Sequence, residues 1–467
     1  MILPFEEGLT FDDVLIIPEL SDVSPGDADV SSVLVPSIKL NSPILSAGMD
    51  TVTEAPMAIA MARQGGMGVI HRNMPVLDQA GETDRVKRSE HSIINEPFTM
   101  SPNQYIHEAA DLMERYHISG VPVTEHGNLL GIITKRDLRF ESDYSKKVYE
   151  VMTSENLITA PVGTTLDEAR SILISHKIEK LPIVDEMGKL KGLITVKDMN
   201  KNILYPNSSK DASGRLVVGA SAGIADDLAE RVDALSKIPA DVIFLDVLEP
   251  NAKAALKHIR TIKDAHPNLP LVAGNVATAE SARMLFDAGA DAVKVGVGPS
   301  SVSTTRVVTG VGVPQLTAII NCAKAAREYG KTVIADGGIR YSGDIIKALA
   351  AGASACMLGN LLAGCEESPG AAQMYRGRKY KEYRGLKAAN ADVPEGVEGR
   401  ISYKGSAAEV ITKLLGGLRA GMAYCGCGSI EELHEKARFI KVTGQGLRES
   451  HPHDIQITRE STNYSAE

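Results

Sequence analysis

The stretch DAVKVGVGPSSVSTTRVVTG, residues 291–310, sets the fold and points to the site. It opens as an apolar run and breaks at Gly298-Pro299 into a hydroxyl-rich loop from Ser300 to Arg306. Proline offers no N–H to a ladder, so a central strand cannot continue through it. Taken alone, the loop reads equally well as a polar turn between strand and helix. Its neighbours repeat the same phrase. RLVVGAS, DVIFLDV, LPLVAGNV, TVIADGGI and ACMLGN are short apolar runs, separated by amphipathic stretches such as AESARMLFDAGA and GDIIKALAAGA. Strand–helix alternation of this kind means parallel α/β, and with two further strands before residue 90 it predicts a (β/α)8 TIM barrel. Polar or glycine residues then fall at strand C-terminal ends: Asp246, Asn275, Ser301 to Thr305, Asp336-Gly337-Gly338 and Gly359-Asn360. Barrel proteins place their chemistry on that face.

Length and composition bound the alternatives. A chain of 467 residues is long enough for two or three domains. The net charge of −9 gives no electrostatic case for nucleic acid or an anionic membrane. The opening MILPFEEGLTFDD is acidic where a secretion signal is basic, and no apolar run is long enough to span a bilayer, so a cytoplasmic location is expected. Five cysteines, two of them in a CxC, show no zinc spacing and no disulfide framework. No metal ligand set is assigned.

Residues 93–204 interrupt the barrel pattern with an internal repeat. EPFTMSPNQYIHEAADLMERYHISGVPVTEHGNLLGIITKRDL is followed by ENLITAPVGTTLDEARSILISHKIEKLPIVDEMGKLKGLITVKDM. Each copy predicts a helix, then two strands joined by a glycine turn, then a second helix start. The barrel is thus expected in two parts, 1–92 and 205–467, around copies at 93–150 and 151–204. The repeat resembles a tandem pair of CBS modules, the Bateman arrangement. That resemblance implies an adenine or guanine nucleotide between the modules, contacted by Thr134, Asp137, Thr195 and Asp198. The same Thr and Asp positions also suit plain helix caps.

GLTFDDVL, MDTVTE, HRNM, YPNSSKDASGRL, AGNVAT, TTRVVTGVGVPQ, IADGGIRYSGDIIKALAAGASA, YRGRKYKEYRG and VPEGVEGR occur in an order that resembles the IMP dehydrogenase/GMP reductase family over essentially the whole chain. The resemblance implies a purine 5′-monophosphate. Ser301, Gly337, Gly338, Gly359 and Tyr383 would hold its phosphate, where glycines let backbone N–H groups approach an anion. Asp336 would take the ribose hydroxyls, Met49 would lie against the purine and Glu395 would reach the base edge. Asn360 stands beside this set where the family usually has serine. Asp246 and Asn275 fall where the family receives NAD or NADP, and the loop after Gly298 is where it holds a potassium ion. Homotetramers or octamers are implied as well.

The reaction centre departs from the family pattern. Ser303 stands where a cysteine attacks the purine, and Ser300 replaces a glycine. A thiol supplies thiolate near neutral pH, whereas a serine hydroxyl needs a paired base. Losing a nucleophile costs on the order of 10⁶ in rate in a serine hydrolase. After YRG the chain runs through LKAANADV straight into PEGVEGR, without the long flap whose Arg and Tyr activate water in the family. Where the family has Asp, small residues and Gly to receive the nicotinamide, this chain reads Asp246-Val247-Leu248-Glu249-Pro250-Asn251, bulky and apolar next to the ring position. Three readings stay open. One is an oxidoreductase-like enzyme with redirected chemistry, using Ser303, Thr305 and Glu395. Another is an inactive nucleotide sensor or regulatory subunit. The third is an ordinary IMP dehydrogenase.

Overall fold

The computed structural model describes residues 6–89, 94–95, 97–116, 118–139, 141–196, 199, 203–247, 253–385 and 396–458. Two compact units divide the chain: residues 1–89, 207–211 and 216–467 form one, and 90–206 with 212–215 form the other.

The first unit is a closed barrel of eight parallel strands. In chain order these are β1 (Ile44–Ser46), β2 (Met67–Ile70), β3 (Val218–Ala222), β4 (Val242–Asp246), β5 (Leu271–Val276), β6 (Ala292–Val295), β7 (Thr332–Asp336) and β8 (Ala355–Leu358). The ring closes by β3 pairing with β2 and β8 with β1. Both faces of a barrel strand are covered, so these strands read as unbroken apolar runs rather than half-polar ones. Alternation still sorts them. Val242 and Phe244 join Val69, Val272, Ala292, Ile334 and Met357 inside the barrel, while Ile243, Leu245, Leu271 and Val293 pack against the helices. β6 is shorter than the apolar run 291–298. It stops at Val295 because Gly296 and Gly298 take φ of 148° and 75°, turning the chain out of the ladder.

The hairpin Ser32–Val35 and Ile38–Leu40 closes the barrel floor, with Leu34, Val35, Ile38 and Leu40 buried against the interior cluster. Where the chain leaves the barrel for the insertion and returns, a buried Lys87 ammonium sits 2.9 Å from Asp211 and 2.6 Å from Asp241. Burial raises the Asp241 pKa, and the Lys87 charge works against that rise.

The second unit carries the expected repeat. Helix Ile106–Arg115 precedes the hairpin Gly120–Glu125 and Asn128–Thr134, and helix Leu166–His176 precedes Lys180–Val184 and Leu190–Thr195. Gly127 and Gly188, with φ of 85° and 77°, form the two hairpin turns. Each copy has its own small core, around Ile106, Met113 and Ile133 in one and Leu173, Leu181 and Ile194 in the other. Ile94–Asn95, at the start of the first copy, pairs with the last strand of the second. Among the described residues no helix is long and apolar enough to cross a membrane.

Candidate functional site

The C-terminal ends of the barrel strands bring together most of the residues singled out from sequence. Beyond β6, the loop 296–304 curls over the mouth. A Cβ on Gly296 would fall 2.0 Å from the Asp336 carbonyl oxygen, so only glycine lets this turn lie against β7. Arg306 clamps the loop from behind, donating from Nε to the Val297 carbonyl (2.9 Å) and from Nη2 to that of Val313 (2.5 Å).

Within the loop, Ser303 Oγ lies 3.1 Å from Thr305 Oγ1 and accepts a long contact from the Thr305 amide (3.4 Å). No histidine or carboxylate among the described residues bonds to Ser303. No cysteine is exposed at the site. All five cysteines are free and buried, and burial pushes Cys322 and Cys365 up to about 12. Glu395, Asp198 and residues 248–251 lie outside the described residues.

Ser301, Gly337, Gly338, Gly359, Asn360 and Tyr383 converge beside that loop. Gly337 and Gly338 take φ of 94° and 78°, a conformation that favours glycine, and both lie against Pro299 of the loop. Gly359 faces Tyr383 so closely that a Cβ there would lie 2.7 Å from the phenol oxygen. Burial raises the Tyr383 pKa, the neighbouring Ser300 and Ser301 hydroxyls working the other way, so the phenol stays a neutral donor. Asn360 Nδ2 donates to Ser301 Oγ at 3.1 Å, and Met49 Sδ borders Gly359.

A second cluster joins Asp246, Asn275 and Asp336 through a residue that sequence reasoning missed, Lys294. The alternation that turns Ala292 into the barrel turns Lys294 inward one layer higher. Its ammonium is 2.5 Å from Asp336 Oδ2 and 3.1 Å from Asp246 Oδ1, the latter an ion pair off the hydrogen-bond axis, and it also donates to Asn275 Oδ1. Burial opposes the charge on Lys294, but Asp246 and Asp336 outweigh it and the pKa is raised. Asn275 Nδ2 donates to Asp336 Oδ2 at 2.9 Å and to the Gly296 carbonyl at 2.8 Å. Asp336 therefore gives one oxygen to the protein and leaves Oδ1 for a ligand. The signal was present in the sequence: a lone lysine inside an otherwise apolar strand, AVKV.

On the side facing β1, Arg384 pairs with Asp50 (2.6 Å), whose pKa is lowered: burial pushes it up, and the hydrogen bonds from Arg384 and Asn73 more than reverse this. The chain before and after residues 386–395 is tied together and to the loop. Gly385 N donates to Val397 O (3.1 Å), Val397 N to Val302 O (2.9 Å) and Gly396 N to Thr304 Oγ1 (2.9 Å).

In the insertion, Thr134 and Asp137 meet as a cap. Asp137 Oδ2 accepts from the Thr134 amide (2.8 Å) and hydroxyl (2.7 Å). Thr195 ends the corresponding strand of the second copy. No group of metal-ligating side chains occurs among the described residues.

Comparison with known proteins agrees with this architecture. The family model described as "IMP dehydrogenase / GMP reductase domain" matches residues 8–453. The chain is 56% identical to the inosine-5′-monophosphate dehydrogenases of Bacillus subtilis and Aquifex aeolicus, over 98% of both chains in each case. It superposes on a crystal structure of GMP reductase C318A from Trypanosoma brucei in complex with guanosine 5′-monophosphate with a TM-score of 0.90, at 38% identity over 97% of this chain and 99% of that one. A barrel with a glycine cradle, an aspartate with one oxygen left open and a loop bearing Ser303 in this setting place the chain in the IMP dehydrogenase/GMP reductase family.

Proposed function

We propose that the barrel mouth binds a purine 5′-monophosphate and that the protein acts on its base as an oxidoreductase of the IMP dehydrogenase type, slowly, because Ser303 replaces the thiol. The observation that carries this reading is the converged cradle of Ser301, Gly337, Gly338, Gly359 and Tyr383 next to Asp336. Backbone N–H groups and neutral hydroxyl donors suit a phosphate dianion, and the open Asp336 Oδ1 suits a ribose diol. The base would then point towards Met49, Ser303 and Thr305.

Asp246, Asn275 and Lys294 fit a nicotinamide dinucleotide. Asp246 Oδ1 is buried against Lys294, so the other carboxylate oxygen is the one that would accept from a carboxamide. Two carboxylates against one ammonium leave an excess negative charge, which favours the cationic ring of the oxidised cofactor. When bound, that group supplies the hydride acceptor. Lys294 pairs with both carboxylates and holds them in place, and Asn275 fixes Asp336 against the Gly296 turn. For potassium the fit is poorer. The carbonyls of Gly296, Val297, Ser300 and Val302 already accept protein N–H groups, and no step is assigned to the ion.

A second reading, nucleotide binding without turnover, is favoured by one observation: among the described residues, only Thr305, through its hydroxyl and amide, bonds to the Ser303 hydroxyl. Mass spectrometry of the protein with IMP, XMP, GMP or AMP, each with and without NAD(H) or NADP(H), separates the two. A product that needs the dinucleotide supports the oxidoreductase. Tight nucleotide binding with product only from Ser303→Cys supports the second reading. Failure to bind any purine monophosphate sinks both. We further infer an adenine or guanine nucleotide at the repeat, contacted by Thr134, Asp137 and Thr195, and a homotetramer or octamer. Light scattering with and without ATP or GTP tests both.

A further inference from the structure

Among the described residues, the cations placed at the barrel mouth are committed, with one exception. Lys294 is held by Asp246 and Asp336, Arg306 by two carbonyls, and Arg384 by Asp50 and Glu382. Arg72 follows β2 and is half-buried, yet it makes no hydrogen bond or ion pair among the described residues. Its neighbours are both tied down. The ring of His71 is 3.4 Å from Glu54 and accepts from the Asn73 amide (3.1 Å), and Asn73 donates to Asp50 at 2.5 Å. Arg72 instead lies flat on Gly223, at the end of the adjacent strand β3. A Cβ at 223 would stand 2.3 Å from Nη1 and 2.4 Å from Cζ. The missing side chain is what seats the guanidinium, and the seat leaves its fork of donors open. A partly desolvated guanidinium without an acceptor is a prepared anion site.

Position in the ring selects the anion. Strand order runs β3-β4-β5-β6-β7-β8-β1-β2, so β3 stands opposite β7, which carries Gly337 and Gly338. The phosphate of a mononucleotide held on β7 cannot also reach β2 and β3. Asp246, however, is on β4, next to β3. A dinucleotide whose nicotinamide end rests at Asp246 and Asn275 has the β6–β7 side blocked by the mononucleotide cradle, and leaves across β3. We propose that Arg72, seated on Gly223, binds the diphosphate of the nicotinamide dinucleotide. This assignment rests on the cofactor reading above.

Calorimetric titration of the full chain tests it, with NAD, nicotinamide riboside (no phosphate) and IMP as probes. Arg72→Ala is expected to weaken NAD binding by on the order of ten- to a hundredfold, the range of a charge-assisted contact. It should leave nicotinamide riboside and IMP unchanged. Arg72→Lys should fall between, and Gly223→Val, which unseats the guanidinium, should reproduce Arg72→Ala. NAD affinity should also become less sensitive to salt in Arg72→Ala. Equal NAD affinities in wild type and Arg72→Ala overturn the assignment while leaving the cofactor reading in place. An equal loss of IMP binding overturns it in favour of a mononucleotide contact. A wild-type protein that binds no NAD overturns the assignment and the cofactor reading together.

Discussion

Replacing Lys294 by methionine removes the one cation between Asp246 and Asp336, whose side chains are only 16% and 21% exposed. Methionine keeps most of the stem's volume, so the loss is mainly electrostatic. Truncating one member of a buried ion cluster costs about 3–5 kcal/mol. Proton uptake sets an independent ceiling. At pH 7, protonating a carboxylate of ordinary pKa near 3.9 costs about 1.36 kcal/mol per unit over roughly three units, or about 4 kcal/mol. Beyond that, one aspartate simply takes a proton. The sign follows from linkage: the folded variant binds a proton that its unfolded chain releases, so its stability falls as pH rises from about 4 towards 7. The deficit relative to wild type should therefore be about 4 kcal/mol at pH 7 and roughly 1.5 kcal/mol at pH 5. Urea unfolding of both proteins at pH 5, 6 and 7 measures it. A deficit below about 1 kcal/mol at pH 7, or one that does not shrink on acidification, would show that the Lys294 charge does not stabilise the cluster.

Further expectations concern the cradle, the reaction loop, the floor and the thiols. Gly359→Ala places a Cβ 2.7 Å from the Tyr383 phenol and should cut purine monophosphate affinity at least about tenfold with the far-ultraviolet circular dichroism unchanged. Ser303→Cys should raise turnover of IMP with NAD by at least about tenfold, read as NADH absorbance, because thiolate becomes available near neutral pH. Lys87→Met leaves Asp211 and Asp241 facing each other at the floor and should destabilise the barrel by about 3 kcal/mol in thermal or urea unfolding, an effect a surface lysine would not give. With all five thiols buried and raised in pKa, the native protein should react with less than one equivalent of a disulfide reagent until denaturant is added.

Much of the architecture was legible in the chain before any coordinates. The alternation of apolar runs with amphipathic helices dictates a parallel barrel, since such strands must be covered on both faces. Strand ends could be located because Gly, Asp and Asn break the runs, and the repeat around Gly127 and Gly188 announced the insertion. The cradle glycines were legible for the same reason: DGG and GN after a strand serve a local backbone need, and local needs are written in local sequence. Ser303 in a pattern that resembles a cysteine family is an expectation from sequence that the Ser303→Cys assay tests.

Tertiary structure alone decided what those residues face. Lys294 is 42 positions from Asp336 in sequence and in hydrogen-bond contact with it, and only barrel closure makes them neighbours. Arg72 and Gly223 come from strands separated by the entire insertion, so neither predicts the other. The same holds for Val302 and Val397, whose backbones meet across the mouth. It holds too for the five cysteines, whose burial rules out a replacement nucleophile. Periodicity and turn chemistry act over a few residues and survive in the one-dimensional text. Charge pairing and desolvation act through space, and they take their values only once the ring is closed.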